Sequence, residues 1–163
     1  MVVYFSVAVK LAIIFSGLFL WVGMFTGVWK YWQIRKSPQT RAHYYVDIAH
    51  RSSLLYAPAC LILAVLAAYS VWSALWNLVF VLLNLFFFSA SILSYVLHGF
   101  FRDTNNQFKE PHRLGKRILP KSVMTFCMCL LVLSELFATG MLILGTGLYL
   151  FSLYTTKIDN SLK

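Results

Sequence analysis

The sequence predicts an all-α integral membrane protein, a single domain built as a bundle of four transmembrane helices. Three observations lead to this prediction. Hydrophobic residues make up 60% of the 163 residues and charged residues 12%, about half the charged share of an ordinary soluble domain. The uncharged residues form runs long enough to cross a bilayer. The basic residues are concentrated between these runs, as in the loops of membrane proteins.

The four helices follow from the runs that contain no charge. A bilayer core of about 30 Å needs about 20 helical residues. The first run extends from Leu11 to Trp29, and the long run from Ser52 to Phe101 has room for two helices and a tight turn. A last run, Ser122 to Thr156, is interrupted only by Glu135. We therefore predict helices at about 11–32, 38–70, 74–100 and 122–152.

The orientation follows from the distribution of positive charge. Of the 14 basic residues, 11 lie in two segments between predicted helices: Lys30, Arg35, Lys36, Arg41 and Arg51, then Arg102, Lys109, Arg113, Lys116, Arg117 and Lys121. The positive-inside rule makes both loops cytoplasmic and places both termini on the outer side. The loops carry no nucleic-acid-binding motif, so we expect the lipid bilayer and its headgroups, and no nucleic acid, as their partner.

The second helix is expected to begin before the membrane. Serine followed by proline, as at Ser37 and Pro38, is a common helix start. We therefore predict that residues 38–50 form a helical extension that protrudes from the bilayer. Pro58 is expected to bend this helix without ending it, because neighbouring helices can satisfy the freed carbonyl.

Histidines at this end of the bundle are candidate ligands. His43, Asp47 and His50 are spaced at i, i+4 and i+7, which places two imidazoles and a carboxylate along one helix face. His98 ends the third helix at the same depth as His50. We predict that His50 and His98 bind a metal or haem and that Asp47 accepts a hydrogen bond from an imidazole N–H. The alternative is that these histidines only cap helix ends, and His43 and His112 are expected to be solvated.

Glu135 is the one acidic residue at membrane depth. A carboxyl group there is costly unless it is neutral or faces the bundle interior. We favour a neutral Glu135 that hydrogen-bonds to one of four polar residues of the third helix, Asn77, Asn84, Ser89 or Ser91. A proton relay is the alternative.

Small residues and cysteines have structural interpretations. Gly23 and Gly27 are four residues apart, a spacing that lets two helices approach closely. Cys60, Cys127 and Cys129 all lie in predicted spans, where we expect them to pack as small apolar groups.

The residues around the second span resemble a known family, the bacterial hydroxylaminobenzene mutase and styrene oxide isomerase group of short four-span membrane isomerases. The matching residues are Arg41, Ala42 and His43 before the span and Ala49, His50 and Leu54 within it. In that group an asparagine follows the helix-head histidine by six residues. This chain has Tyr56 at that position, a hydroxyl donor of similar reach.

The resemblance implies a location and an activity. The protein would lie in the bacterial inner membrane as a multi-pass protein, and His50 would hold a haem b. Ferric haem would act as a Lewis acid on the oxygen of a small apolar substrate, such as an epoxide or arylhydroxylamine. Tyr56 or Asn84 would orient this substrate through hydrogen bonds, so that they would be the catalytic residues of an isomerase.

Three other classes of function stay open. One is an electron-transfer haem protein with His50 and His98 as paired ligands. Another is a transporter or channel subunit that uses Glu135. The third is a structural or assembly subunit of a membrane complex without a ligand, which we rank above transport because so small a chain is rarely a complete transporter. In each class we expect a homo-oligomer.

Overall fold

The computed structural model describes residues 5–115 and 117–161, with side chains up to residue 152. Four helices and one β-hairpin are present within these residues. They are α1 (Val7–Lys36), α2 (Tyr44–Ala68), α3 (Ala74–Phe101), β1 (His112–Leu114), β2 (Arg117–Leu119) and α4 (Lys121–Ser161). The two strands are antiparallel, with His112 opposite Leu119. The hairpin lies in the second basic segment, where no strand was predicted.

Each of the four helices is long and apolar enough to cross a membrane. The predicted number and order of helices are thereby confirmed. Two of the helices have serine N-caps. The Ser6 side chain accepts a hydrogen bond from the amide of Val9 in α1, and the Ser73 side chain accepts one from the amide of Trp76 in α3. The structure extends α1 beyond the predicted range at both ends.

The prediction that α2 begins at Pro38 is wrong. Residues 37–43 form an irregular linker, Thr40 adopts a positive φ of 52°, and the helix begins at Tyr44. Ser37 instead ends α1, where its amide donates to the carbonyl of Ile34. Proline is also common just after a helix end, because it cannot continue the helix. No helical extension of residues 38–43 exists, whereas α2 does continue through Pro58 as predicted.

The tightest helix contact joins α1 to α2. A Cβ atom at Gly23 would lie 2.6 Å from a methyl carbon of Leu54, and one at Gly27 would lie 2.8 Å from Cε1 of His50. The two glycines therefore let one turn of α2 rest directly on α1. The predicted role of this small-residue pair in close helix packing is confirmed, and its partner is α2 of the same chain.

Helix α4 packs less closely than the other three. Only 11% of its most apolar stretch is buried, against 33% to 44% in α1, α2 and α3. Cys127 and Cys129 are exposed on it and do not pack inside this chain, whereas Cys60 of α2 is fully buried as expected. The middle of α4 contacts the turn between α2 and α3, where the Trp72 indole donates to the carbonyl of Met141 at 2.7 Å.

Candidate functional site

Most candidate side chains lie at one end of the bundle, where α1 ends, α2 begins, α3 ends and α4 begins. We call it the basic end because both basic segments of the sequence lie there. His43 is half-buried at this end and caps α2, since its Nδ1 accepts a hydrogen bond from the amide of Tyr45. Its own amide donates to Oε1 of the buried Gln33 at 2.8 Å. His43 therefore caps α2, and its ring remains half-exposed.

His50 is oriented by α1. Its Nδ1 lies 2.8 Å from the carbonyl oxygen of Gly23. A carbonyl can only accept, so the proton of the neutral ring is assigned to Nδ1, and Nε2 keeps its lone pair. The side chain is half-buried, with its ring against Gly27. The imidazole is thus fixed in position and tautomer, with one nitrogen chemically suited to a metal ligand.

Asp47 has partners other than the histidines. Its carboxylate forms ion pairs with Lys30 of α1 at 2.6 Å and with Arg51 at 2.7 Å. Both carboxylate oxygens are thereby engaged. We expected Asp47 to accept a hydrogen bond from an imidazole N–H, and this expectation is not met. The Nδ1–H group of His50 donates to the Gly23 carbonyl instead.

The histidine that does pair with a carboxylate is His98. Its Nδ1 lies 2.8 Å from Oδ1 of Asp103, and the two side chains are 4% and 5% exposed. Burial alone would raise the pKa of Asp103, but hydrogen bonds from His98 and from the Gly115 amide hold the pKa below its usual range. Asp103 therefore remains a carboxylate at neutral pH and anchors the segment after α3.

The segment after α3 is held against the bundle by further polar contacts. The Tyr45 hydroxyl accepts from the amide of Gln107, and the ring centroids of Tyr45 and His98 are 5.0 Å apart. His112 is buried, with its Nδ1 2.9 Å from the carbonyl of Gln107. His112 is therefore not solvated, contrary to expectation. It joins β1 to the loop, and the second basic segment is a folded structure at the end of the bundle.

Helix α3 carries a polar stripe that faces the bundle interior. Its members are spaced by seven residues and are all buried: Asn77, Asn84, Ser91 and His98. Seven residues are close to two helical turns, so these side chains fall on one face. Asn84 accepts from the Thr139 hydroxyl of α4 at 2.9 Å and donates to the carbonyl of Phe80. Its amide group is therefore already paired through both of its polar atoms.

Tyr56 and Glu135 lie near this stripe. The Tyr56 ring stacks on Phe88 of α3 with centroids 4.3 Å apart, and its hydroxyl lies beside Ser91. Glu135 of α4 is within electrostatic reach of Tyr56, yet its buried Oε1 has no hydrogen-bond partner among the described residues. The expected hydrogen bond between Glu135 and one of Asn77, Asn84, Ser89 and Ser91 is not present among the described residues. Asn84 is paired with Thr139 instead.

The predicted site residues therefore fall into separate groups. His50 packs on α1, whereas His98 packs on Tyr45 and Asp103, so the two rings have different partners. Tyr56 and Asn84 contact α3 and α4. Across residues 5–115 and 117–152, no group of three or more His, Cys, Asp or Glu side chains is arranged to hold a metal ion. His43 and His50 both have oriented, half-exposed rings, but only in His50 does the ring Nδ1 face a carbonyl, which leaves Nε2 with its lone pair.

Sequence reasoning missed three residues that hold the candidate side chains in place: Asp103 and Gln33 at the basic end, and Thr139 in the middle of α4. Asp103 was not among the predicted site residues, although its position just after the helix end lets it reach back to His98. The seven-residue spacing along α3 would have identified its inward face. It would not have identified Thr139, because the contact with Asn84 depends on how α4 packs against α3. Gln33 carries no such signal, because its role depends on where the linker places His43.

A cleft opens at the basic end beside these contacts. It has a volume of about 1130 Å³ and lies between the end of α1, the linker and the first turn of α2. Its walls include Lys30, Lys36, Arg41, His43, Asp47 and Arg102, whereas His50 is not among the described residues that line it. The cleft is thus a feature separate from the oriented His50 ring.

Comparison with known proteins identifies no relative of this chain. No protein-family model, no curated protein and no solved structure matches it. Function must therefore be argued from the residues and their geometry.

Proposed function

We propose that this chain is a multi-pass protein of the bacterial inner membrane, with both termini outside and both basic segments in the cytoplasm. Support comes from four helices that are long and apolar enough to span, and from the clustering of basic residues at one end of the bundle. Exposed apolar side chains such as Ile14, Leu55 and Phe86 fit lipid contact on the outside of this bundle.

Within this protein we propose that His50 would hold a haem b through its imidazole. The observation that carries the proposal is the 2.8 Å contact between His50 Nδ1 and the Gly23 carbonyl. Haem- and metal-binding histidines commonly donate one ring N–H to a backbone carbonyl, which orients the ring and leaves the other nitrogen to the metal. Gly27 makes room for the ring in this position. His50 would therefore supply one imidazole nitrogen, Nε2, to the cofactor.

The role of the surrounding residues follows from their contacts. His50 is half-exposed, so the chain would hold the cofactor at the surface of the α1–α2 pair, and a second copy of the chain would complete its enclosure. When bound, a ferric haem supplies a Lewis acid for isomerisation of a small apolar substrate. Tyr56 and Asn84 lie among the side chains of α3 and α4, so we base the cofactor proposal on His50 alone.

An absorption spectrum of the detergent-purified protein tests this proposal. We expect a Soret band in the wild type and its loss in His50→Ala, with retention of the band in His43→Ala and of normal helix content in both. His43 is the matched control because it lies on the same helix end but contacts Tyr45 and Gln33 instead. A wild type without a chromophore after expression with added haem would refute the haem proposal.

A non-enzymatic assembly subunit is the second candidate. The observation that favours it is the low burial of α4, whose most apolar stretch is only 11% buried. A helix with this much uncovered surface has room for another protein as well as for lipid. In this case the polar contacts at the basic end would serve only to fold the chain, and the purified protein would carry no cofactor.

A further inference from the structure

The cleft at the basic end has an excess of positive charge. Lys30, Lys36, Arg41 and Arg102 line it, and Asp47 is its one carboxylate among the described residues. That carboxylate is already paired, since Lys30 lies 2.6 Å and Arg51 2.7 Å from its oxygens. The remaining cations of the cleft are not neutralised by Asp47, so the cleft attracts anions.

Two arginines are available to a ligand. Arg41 belongs to the linker and Arg102 follows the end of α3, so they approach the cleft from separate elements. Neither forms an ion pair with a carboxylate within the part of the chain that the structure describes. The guanidinium group offers several donors in a plane, which match the oxygens of a phosphate group.

Other groups of the cleft suit an anion at the edge of a membrane. Burial, together with the charge of Arg102, lowers the pKa of His43, so its ring is neutral at pH 7. Because Nδ1 of this ring accepts from the Tyr45 amide, its proton is on Nε2, which can donate. The Lys36 ammonium lies 4.1 Å from the centre of the exposed Trp32 ring, and aromatic rings of this kind are common at headgroup depth.

We propose that this cleft binds a phosphate-bearing anion, held chiefly by Arg41 and Arg102. The phosphate can come from the headgroup of an anionic phospholipid or from a soluble phosphate. Both sources present the same oxygens to the two guanidinium groups. The cleft volume of about 1130 Å³ leaves room for a group larger than the phosphate itself.

Binding can be measured as a rise in the unfolding temperature of the full chain in a non-ionic detergent. The probes are dihexanoyl phosphatidylglycerol, dihexanoyl phosphatidylcholine and inorganic phosphate. A saturable rise with phosphatidylglycerol but not with inorganic phosphate identifies a headgroup site, and the reverse identifies a soluble phosphate. No rise with either anion, or an equal rise with the zwitterionic phosphatidylcholine, would overturn the proposal.

Paired variants separate a site from general electrostatic attraction. The double variant Arg41→Gln/Arg102→Gln should bind the active probe about tenfold more weakly or worse. The control Arg35→Gln/Arg113→Gln removes the same charge from exposed positions outside the cleft and should change affinity less than about twofold. Equal losses in the two pairs would refute the cleft as the site. If the first pair fails to fold, Arg41→Gln alone, in the exposed linker, provides the same comparison against Arg35→Gln.

Discussion

Gly27 leaves space for the imidazole of His50, and this contact can be tested directly. A Cβ atom there would come within 2.8 Å of Cε1 and 3.0 Å of Nδ1 of His50. The ring would have to move and would lose its bond to the Gly23 carbonyl. Gly27→Ala should therefore lower the free energy of unfolding by about 1–3 kcal/mol.

Thermal or SDS-induced unfolding of the detergent-purified protein measures this loss. Gly17→Ala is the matched control, since nothing lies within 4 Å of a Cβ at that position of the same helix. Alanine favours a helix over glycine by up to about 1 kcal/mol, so the control should be neutral or slightly stabilising. Equal stability of both variants would contradict the close contact between α1 and α2.

Asp103 ties the segment after α3 to the bundle, so its charge should contribute to stability. Asp103→Asn keeps the size of the side chain but removes the charge that pairs with His98. We expect the free energy of unfolding to fall by about 1–3 kcal/mol at neutral pH. Glu110→Gln should have no measurable effect, because the Glu110–Lys121 pair is exposed.

The Asp103 contribution should also depend on pH in a defined direction. The pKa of Asp103 is lower in the folded chain than the unperturbed value of about 3.9. The stabilisation is therefore complete above that value and disappears as the pH falls through the folded pKa. The difference in unfolding temperature between wild type and Asp103→Asn should shrink below about pH 4. If the unfolding temperatures of wild type and Asp103→Asn still differ in acid, the substitution destabilises the protein through altered packing and not through the lost charge.

Single residues also mark the limit of what could be predicted here. The depth of His98 follows from its distance along an apolar helix, and its burial agrees with that position. Its partner does not follow in the same way, because Asp103, Asp47 and Glu110 are all near a histidine in the sequence. Which carboxylate reaches an imidazole depends on where α3 ends, and that is a property of the folded chain.

At the scale of elements, hydrophobic run length predicts the helices well but their ends poorly. The apolar runs predict both ends of α3 to within one residue, since the predicted range is 74–100 and the observed helix is Ala74–Phe101. The start of α2 is different, since Ser37 and Pro38 can either begin one helix or follow another. In the folded chain the His43 amide donates to Gln33 of α1, a contact that depends on packing between α1 and the linker and cannot be seen in the sequence.

Helix α4 is the element whose exposed surface bears on oligomer formation. Cys127 and Cys129 are exposed on it, while Cys60 is buried in α2. If α4 lies between two copies of the chain, oxidation with copper phenanthroline in membranes should link the copies through these thiols into a covalent dimer. The dimer should disappear on a non-reducing gel for Cys127→Ser/Cys129→Ser and persist for Cys60→Ser. Its absence in the wild type would contradict an α4 interface near these residues.

At the scale of the whole molecule, composition predicts a membrane protein, and the lengths of the charge-free runs predict four apolar helices. The grouping of site residues could not be predicted in the same way. Histidines at similar depth are engaged by different neighbours, as His50 by Gly23 and His98 by Asp103. Depth depends on sequence position, whereas rotation of each helix about its axis depends on how all four pack.

Orientation in the membrane is the remaining property of the whole molecule, and reporter fusions test it. Truncations at residues 36 and 116 end in the two basic segments, and a truncation at residue 72 ends in the turn between α2 and α3. We expect green fluorescent protein fused after residue 36 or 116 to fluoresce, and alkaline phosphatase to be active only when it is fused after residue 72. Active phosphatase in the fusion at 36 or at 116 would show that the predicted orientation is wrong. His50 and the cleft would then lie on the outer face of the membrane. The reason for the expected result is electrostatic, since arginine and lysine in short loops resist translocation and α1–α2 carries five of them around its linker.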